Sequence, residues 1–205
     1  MVAYRDREQN EIGLLEGTVT TTYFKRYRMH LDLRGGVKMS PPPLPPTYEL
    51  LAWRDTLLQA HAEAKFQSFR DEMDTNVFSC LGQTEGCLRL MRDISFREGF
   101  IPEATWLAVY RDPIKKSPLP CGTIQAIKTE PRIGSIQNIG VTVDHRGVGL
   151  GTWLIYRSLK GFAEAGLHFG QLEVTSHNTA AIRLYQRLGF RLVKVVYKSA
   201  EIRQT

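Results

Sequence analysis

The chain predicts a mixed α/β fold on a mostly antiparallel sheet, and three stretches carry that reading. Ala104–Tyr110 and Cys121–Thr129 are apolar runs, followed across Pro131–Gly134 by the β-branched run from Ile136; successive strands with short connections read as an antiparallel meander. After a glycine-rich turn, Leu150, Trp153, Leu154, Leu159 and Phe162 recur at helical spacing from about Gly149 to Ala165. That helix leads to an apolar strand at Phe169–Thr175. A strand, helix and strand in succession form a crossover, which sets the two strands side by side and parallel.

At 205 residues the chain is long enough to bury a core, and 42% hydrophobic with 23% charged residues is a globular composition. It has no uninterrupted apolar run of membrane-spanning length, and its start, MVAYRDREQN, has no apolar signal segment. A soluble, cytoplasmic protein without membrane attachment is expected. Cys80, Cys87 and Cys121 are odd in number and lack paired C-x-x-C spacing, so they read as reduced, buried residues and no metal site is expected. The net charge of +6 and pI near 9.3 suit a polyanionic ligand. Because Arg and Lys are scattered rather than clustered, a small anion is expected and a nucleic-acid partner is not.

In chain order, residues 1–16 show no period and are expected to be frayed. Thr18–Leu33, with Tyr23, Tyr27, Met29, Leu31 and Leu33 roughly alternating, reads as a first strand ended by Gly35-Gly36. SPPPLPPT at 40–47 can neither continue a helix nor fill a strand ladder, and reads as a semi-rigid spacer. From Thr47 the pattern becomes helical through Leu50, Trp53, Leu57, Leu58, His61, Ala62 and Phe66, which makes His61 a core or boundary residue. A second helix covers about Gly86–Glu98. Beyond Phe169–Thr175 come a helix at Asn178–Leu188 and a last strand at Leu192–Tyr197. The expected organisation is one domain over 1–205: an N-terminal strand and connector (1–46), a helical region (47–103) and a core (104–198).

The centre of the pattern is Ile136–Gly151, IQNIGVTVDHRGVGLG. A strand feeding a glycine-rich turn and a helix leaves the first-turn N–H groups facing outward, and the helix dipole favours an anion there. The turn therefore reads as a pyrophosphate cradle, with an ordinary strand-to-helix turn as the alternative. Gly140, inside the strand, marks either a bulge or a close backbone approach, and its position points to the bulge.

Arg146-x-x-Gly149-x-Gly151 together with Ser176–Phe190, SHNTAAIRLYQRLGF, resembles the GCN5-related N-acetyltransferase (GNAT) superfamily over about Ala104–Tyr197. The resemblance implies a sheet flanked by helices, with a central parallel strand pair splayed to hold acyl-CoA. It implies acetyl-CoA as co-substrate and an amine as acceptor, with transfer direct from one to the other. Residues 47–103 would cover the acceptor side. The pyrophosphate would rest on Arg146, Gly147, Val148, Gly149, Leu150, Gly151 and Thr152; pantetheine would lie along Val141, Thr142 and Val143, and Asn178, Ala181 and Tyr185 would complete the cofactor site.

Three residues are the candidates for chemistry. Tyr185 corresponds to the superfamily tyrosine beside the CoA sulfur, and a phenol of pKa about 10 can protonate a thiolate whose acid has a pKa of about 8.5. Its helical stripe with Ala181, Leu184 and Leu188 makes plain core the alternative. Asn178 reads as an N-cap and, by resemblance, as a neighbour of the pantetheine arm. Glu173 projects from its strand with Gln171 and Thr175, opposite Leu172 and Val174. Its spacing from Tyr185 is similar to that in the bacterial ribosomal-protein N-terminal acetyltransferases, where the matching Glu is the base; a sheet-face glutamate paired with Arg is the alternative. Glu103 and His145 are weaker candidates. Deprotonating a lysine at pH 7 costs roughly 4.6 kcal/mol and an α-amine roughly 1.4 kcal/mol, so the need for a base depends on the acceptor. Competing with catalysis is a domain of this fold that binds CoA without turnover, as a sensor or interaction module. A homodimer is compatible with either reading.

Overall fold

The computed structural model describes residues 19–114 and 117–203. The segment expected to be frayed, 1–16, lies outside them. Seven strands form one sheet: β1 (Val19–Asp32), β2 (Tyr48–Ala52), β3 (Trp106–Tyr110), β4 (Leu119–Glu130), β5 (Ile133–Val141), β6 (Phe169–Thr175) and β7 (Arg191–Arg203). Their order is β2-β3-β4-β5-β6-β1-β7. Every neighbouring pair is antiparallel except β5 and β6, which are parallel as the crossover predicts.

Helices α1 (Leu58–Phe69), α2 (Asp74–Val77) and α3 (Thr84–Ser95) precede β3; α4 (Leu150–Glu164) joins β5 to β6, and α5 (Thr179–Arg187) precedes β7. The apolar stripe of α4 is what the sequence pattern requires: Leu150, Leu154, Ile155, Leu159 and Phe162 are all buried, packed with Ile124, Ala126, Ile136 and Leu172 of the sheet. The opposite face is covered by α1 and α3 through smaller clusters around Ala62, Leu81, Cys87 and Met91, and around Ala64, Leu107 and Val109. Cys87 and Cys121 are buried and all three cysteines are free. Among the described residues, no helix is long and apolar enough to cross a membrane.

Three expectations are corrected. The helical reading from Thr47 begins too early, because Tyr48–Ala52 is a strand that pairs with Trp106–Tyr110; tertiary pairing overrides a short apolar run that fits both periods. The strand in front of the helices is therefore β2. The first strand, β1, lies instead between β6 and β7 and extends the sheet on its far side. The central strand stops at Val141, with Val143 in a tight turn over Val143–His145 and 63% exposed. Gly140 is not the bulge: the register slips between Gln125↔Asn138 and Ala126↔Ile136, which leaves Gln137 as the extra residue. Gly140 serves the other purpose of a strand glycine, because a Cβ there would lie 2.6 Å from Ser68 Cβ and 2.8 Å from the Phe69 ring.

The proline-rich segment is the expected connector, and it is also a strap along α4. The Pro42 carbonyl accepts a hydrogen bond from Trp153 Nε1 at 2.8 Å, which explains why Trp153 sits outside the buried stripe.

Candidate active site

The parallel ladder between β5 and β6 runs from Ile133↔Phe169 to Ile136↔Leu172 and stops, although both strands continue. It stops where the Gln137 bulge bends β5 away. Beyond this point the strands diverge, and two adjoining cavities of about 570 and 130 Å³ occupy the gap and its mouth. The larger runs from the gap to the glycine-rich turn; the smaller lies between Ile136–Ile139 and Leu172–Val174. Phe69, Asp74, Ile139, Asn178, Ala181 and Tyr185 line both.

At the mouth, the N–H groups of Gly147, Val148, Gly149, Leu150, Gly151 and Thr152 find no acceptor among the described residues; the neighbouring donors, His145, Arg146 and Trp153, all do. The cap of α4 is Gly149 at φ 91°, a left-handed conformation, and a Cβ there would meet Pro42 Cγ at 2.8 Å. Bare N–H groups at a helix start are what a diphosphate needs. On the edge of β5 away from the gap, Thr142 N–H donates to Cys121 O on β4 at 2.9 Å. Alternation along a strand then turns the peptide groups of Ile139 and Val141 toward β6 and the open gap.

Of the expected cofactor residues, Val141, Arg146, Gly147, Gly149, Leu150, Gly151, Thr152, Asn178, Ala181 and Tyr185 line the larger cavity. Thr142, Val143 and Val148 do not: Thr142 is tied to β4 by both its N–H and its hydroxyl, Val143 faces outward in the turn, and Val148 packs against the core. Arg146 is more constrained than its motif suggests. Its Nε donates to Val141 O at 2.9 Å, and its terminal nitrogen donates to Ser68 O at 3.3 Å and pairs with Glu72 at 2.8 Å. It ties the loop to the end of α1.

Tyr185 is 7% exposed, packs edge-on against Phe190, and faces both cavities. Burial, with the Asp74 charge adding to it, raises its pKa well above the ordinary tyrosine value, so the phenol stays protonated. The residue is thus both part of the core and part of the cavity wall. Asn178 caps α5, its side-chain oxygen accepting from Ala181 N–H at 3.1 Å, while also lining the cavities. Glu173 projects as its strand predicts and lines the smaller cavity, but one oxygen accepts from Arg28 Nε and a terminal nitrogen at 3.0 and 2.8 Å, and the other lies 3.8 Å from Arg26 Nε. Its geometry is that of the arginine-paired glutamate. His145 accepts or donates at 3.0 Å to the Tyr48 hydroxyl beside the loop. Glu103 lines neither cavity.

Two groups, Asp74 and Lys65, escaped sequence reasoning, and His61 is the core residue its stripe predicts. Asp74, on the single turn α2, accepts from Thr175 Oγ1 at 2.9 Å and from the buried Arg26 at 3.4 Å. Lys65 is fully buried and donates to Gln125 at 2.5 Å and to Asn138, on the cavity wall, at 2.8 Å. Burial pushes its pKa down to about 7. Neighbouring His61 is buried against Thr123 Oγ1 at 2.8 Å and is pushed down to about 3. Among the described residues, no cluster of His, Cys, Asp and Glu is placed to hold a metal.

Residues 56–190 match the family model described as Acetyltransferase (GNAT) family. A mycothiol acetyltransferase of Paenarthrobacter aurescens strain TC1 is 43% identical over 60 residues, 29% of this chain and 19% of that protein. An N-alpha-acetyltransferase of Sulfurisphaera tokodaii is 35% identical over 74 residues, 36% of this chain and 44% of that protein. The chain thus spans less than half the length of either. Among solved structures, a GCN5-related N-acetyltransferase from Sphaerobacter thermophilus superposes with a TM-score of 0.61 at 23% identity, covering 88% of this chain and 52% of that one.

Proposed function

Because this chain belongs to the GNAT family of acetyltransferases, we propose that it transfers an acetyl group directly from acetyl-CoA to a primary amine, in the gap between β5 and β6. The observation that carries this reading is the run of six unpartnered N–H groups, Gly147 to Thr152, opening onto a cavity that continues to Tyr185. Acetyl-CoA supplies an activated acyl thioester. The chain's own groups supply the rest. The loop N–H groups and the α4 dipole hold the diphosphate; Arg146 contributes positive charge while keeping the loop against α1; the N–H and carbonyl of Ile139 and the N–H of Val141 offer partners to the amides of the arm, the Val141 carbonyl being held by Arg146.

A backbone N–H turned into the gap polarises the thioester carbonyl, which is oxyanion-hole stabilisation. Tyr185 gives its proton to the departing sulfur as the C–N bond forms and the C–S bond breaks, and the proton leaving the new amide nitrogen returns to the phenol oxygen. Asn178 holds the start of α5, and with it Tyr185, against the gap. The names of the relatives support acetyl as the group moved. The buried free thiols Cys87 and Cys121 suit work in the reducing cytoplasm.

The test is CoA thiol release from acetyl-CoA with a panel of peptide N-termini, lysine peptides and small amines. Release with at least one amine, falling by about 10²–10⁴ in Tyr185→Phe at unchanged CoA affinity, is the expected result. Full activity in Tyr185→Phe would remove its role as acid.

A further inference from the structure

We propose that Asp74 is the carboxylate that receives the acceptor: its second oxygen binds the ammonium group of the incoming amine and takes one proton from it. The inference rests on the acyl-transfer reading above and gives that reading its acceptor subsite. The proton moves from the ammonium nitrogen to Asp74 Oδ2, leaving a neutral amine and a neutral carboxyl group.

The argument begins with placement. The gap between β5 and β6 is open to both faces of the sheet. Tyr185 comes to it from the face that carries α4 and α5, and Asp74 comes from the face that carries α1 to α3, yet both line the two adjoining cavities. A thioester in the gap therefore has the proton donor on one side and this carboxylate on the other. Attack on a planar carbonyl comes from one face, so a carboxylate on that side can take the first proton from the ammonium group before Tyr185 serves the departing sulfur and the second nitrogen proton.

The hydrogen bonds of Asp74 support the same role. Oδ1 is fixed by Thr175 Oγ1 at 2.9 Å and Arg26 at 3.4 Å, while Oδ2 accepts no hydrogen bond among the described residues and is not sealed from solvent. Arg26 itself is anchored to Thr175 Oγ1 at 2.8 Å and to the Glu173 carbonyl at 3.1 Å. The carboxylate is thus oriented through one oxygen and presents the other. Glu173 is held by more positive charge: its Oε1 accepts two hydrogen bonds from Arg28 at 3.0 and 2.8 Å and its Oε2 lies 3.8 Å from Arg26, whereas Asp74 meets only Arg26, at 3.4 Å. Electrostatics agree, since the Asp74 charge is felt at the Tyr185 hydroxyl and helps to keep it protonated. The subsite therefore fits a cationic primary amine.

The test compares two CoA thioethers of equal size, S-(2-aminoethyl)-CoA, which carries an ammonium group two carbons from sulfur, and neutral S-propyl-CoA, by calorimetry on the full chain. The wild type should bind the cation about tenfold more tightly, the value of one charge-assisted hydrogen bond at about 1.4 kcal/mol. Asp74→Asn should abolish that preference while keeping affinity for S-propyl-CoA, and Glu173→Gln should retain it. If Asp74→Asn does not fold, Asp74→Glu, which keeps a carboxylate beside Arg26 but displaces it, should reduce the preference. No preference in the wild type, or a preference lost in Glu173→Gln and kept in the Asp74 variants, overturns the proposal. Failure of both thioethers to bind would instead remove the acyl-CoA reading, and this subsite with it.

Discussion

Gly149 shows how much the proposed cofactor loop rests on a missing side chain. Its φ of 91° and the 2.8 Å approach of Pro42 to a would-be Cβ leave no room for alanine. Gly149→Ala should rearrange the loop and weaken CoA binding at least about tenfold by calorimetry, a loss of about 1.4 kcal/mol, while far-ultraviolet circular dichroism stays unchanged. Gly140→Ala presses on Ser68 and Phe69 instead and should cost about 1–3 kcal/mol in chemical denaturation, the range for overpacking a filled site. At this scale the sequence was partly legible. Arg146, the glycines, Asn178 and Tyr185 stand in ordered motifs on long elements, and the structure brings them to one cavity. Asp74 was not legible, because a single helical turn has no period to place it and its partners Arg26 and Thr175 are 48 and 101 residues away.

Elements with an unambiguous period were readable, as α4 and β6 show: a repeated apolar stripe or a clean alternation leaves one assignment. β2 was not readable. Its five residues, YELLA, run straight into the helical pattern, and only the β3 ladder makes them a strand. The buried polar seam between α1 and β4 was equally hidden, since Lys65 looks like a surface residue of an amphipathic helix until Gln125 and Asn138 are placed opposite it.

That seam has a pH signature. Lys65 is held at about 7 when folded against an ordinary 10.5, so between these values the unfolded chain binds a proton the folded chain does not, and stability rises with pH from 7 toward 10.5. His61, at about 3 against 6.5, adds a second rise with pH between those two values, lost as the solution is acidified. Urea denaturation at pH 7 and pH 9 should show wild type gaining on the order of a few kcal/mol, and Lys65→Met should flatten that gain. Equal slopes in the two proteins would show that Lys65 does not titrate as placed.

On the proposed acyl-transfer reading, the whole sheet places the chemistry by a mismatch between two neighbours. β5 and β6 pair for four residues, the Gln137 bulge ends the pairing, and the same bend opens a path from the α4 start to the acceptor face. The parallel pair was legible from the crossover rule, but the position of β1 between β6 and β7 was not, because pairing partners 137 or more residues apart leave no local trace. The most direct measurement is calorimetric titration of acetyl-CoA into wild type and Gly149→Ala. The account predicts saturable one-to-one binding by wild type, weakened at least about tenfold in the variant; absence of binding by wild type, or equal affinity in the two proteins, would contradict it.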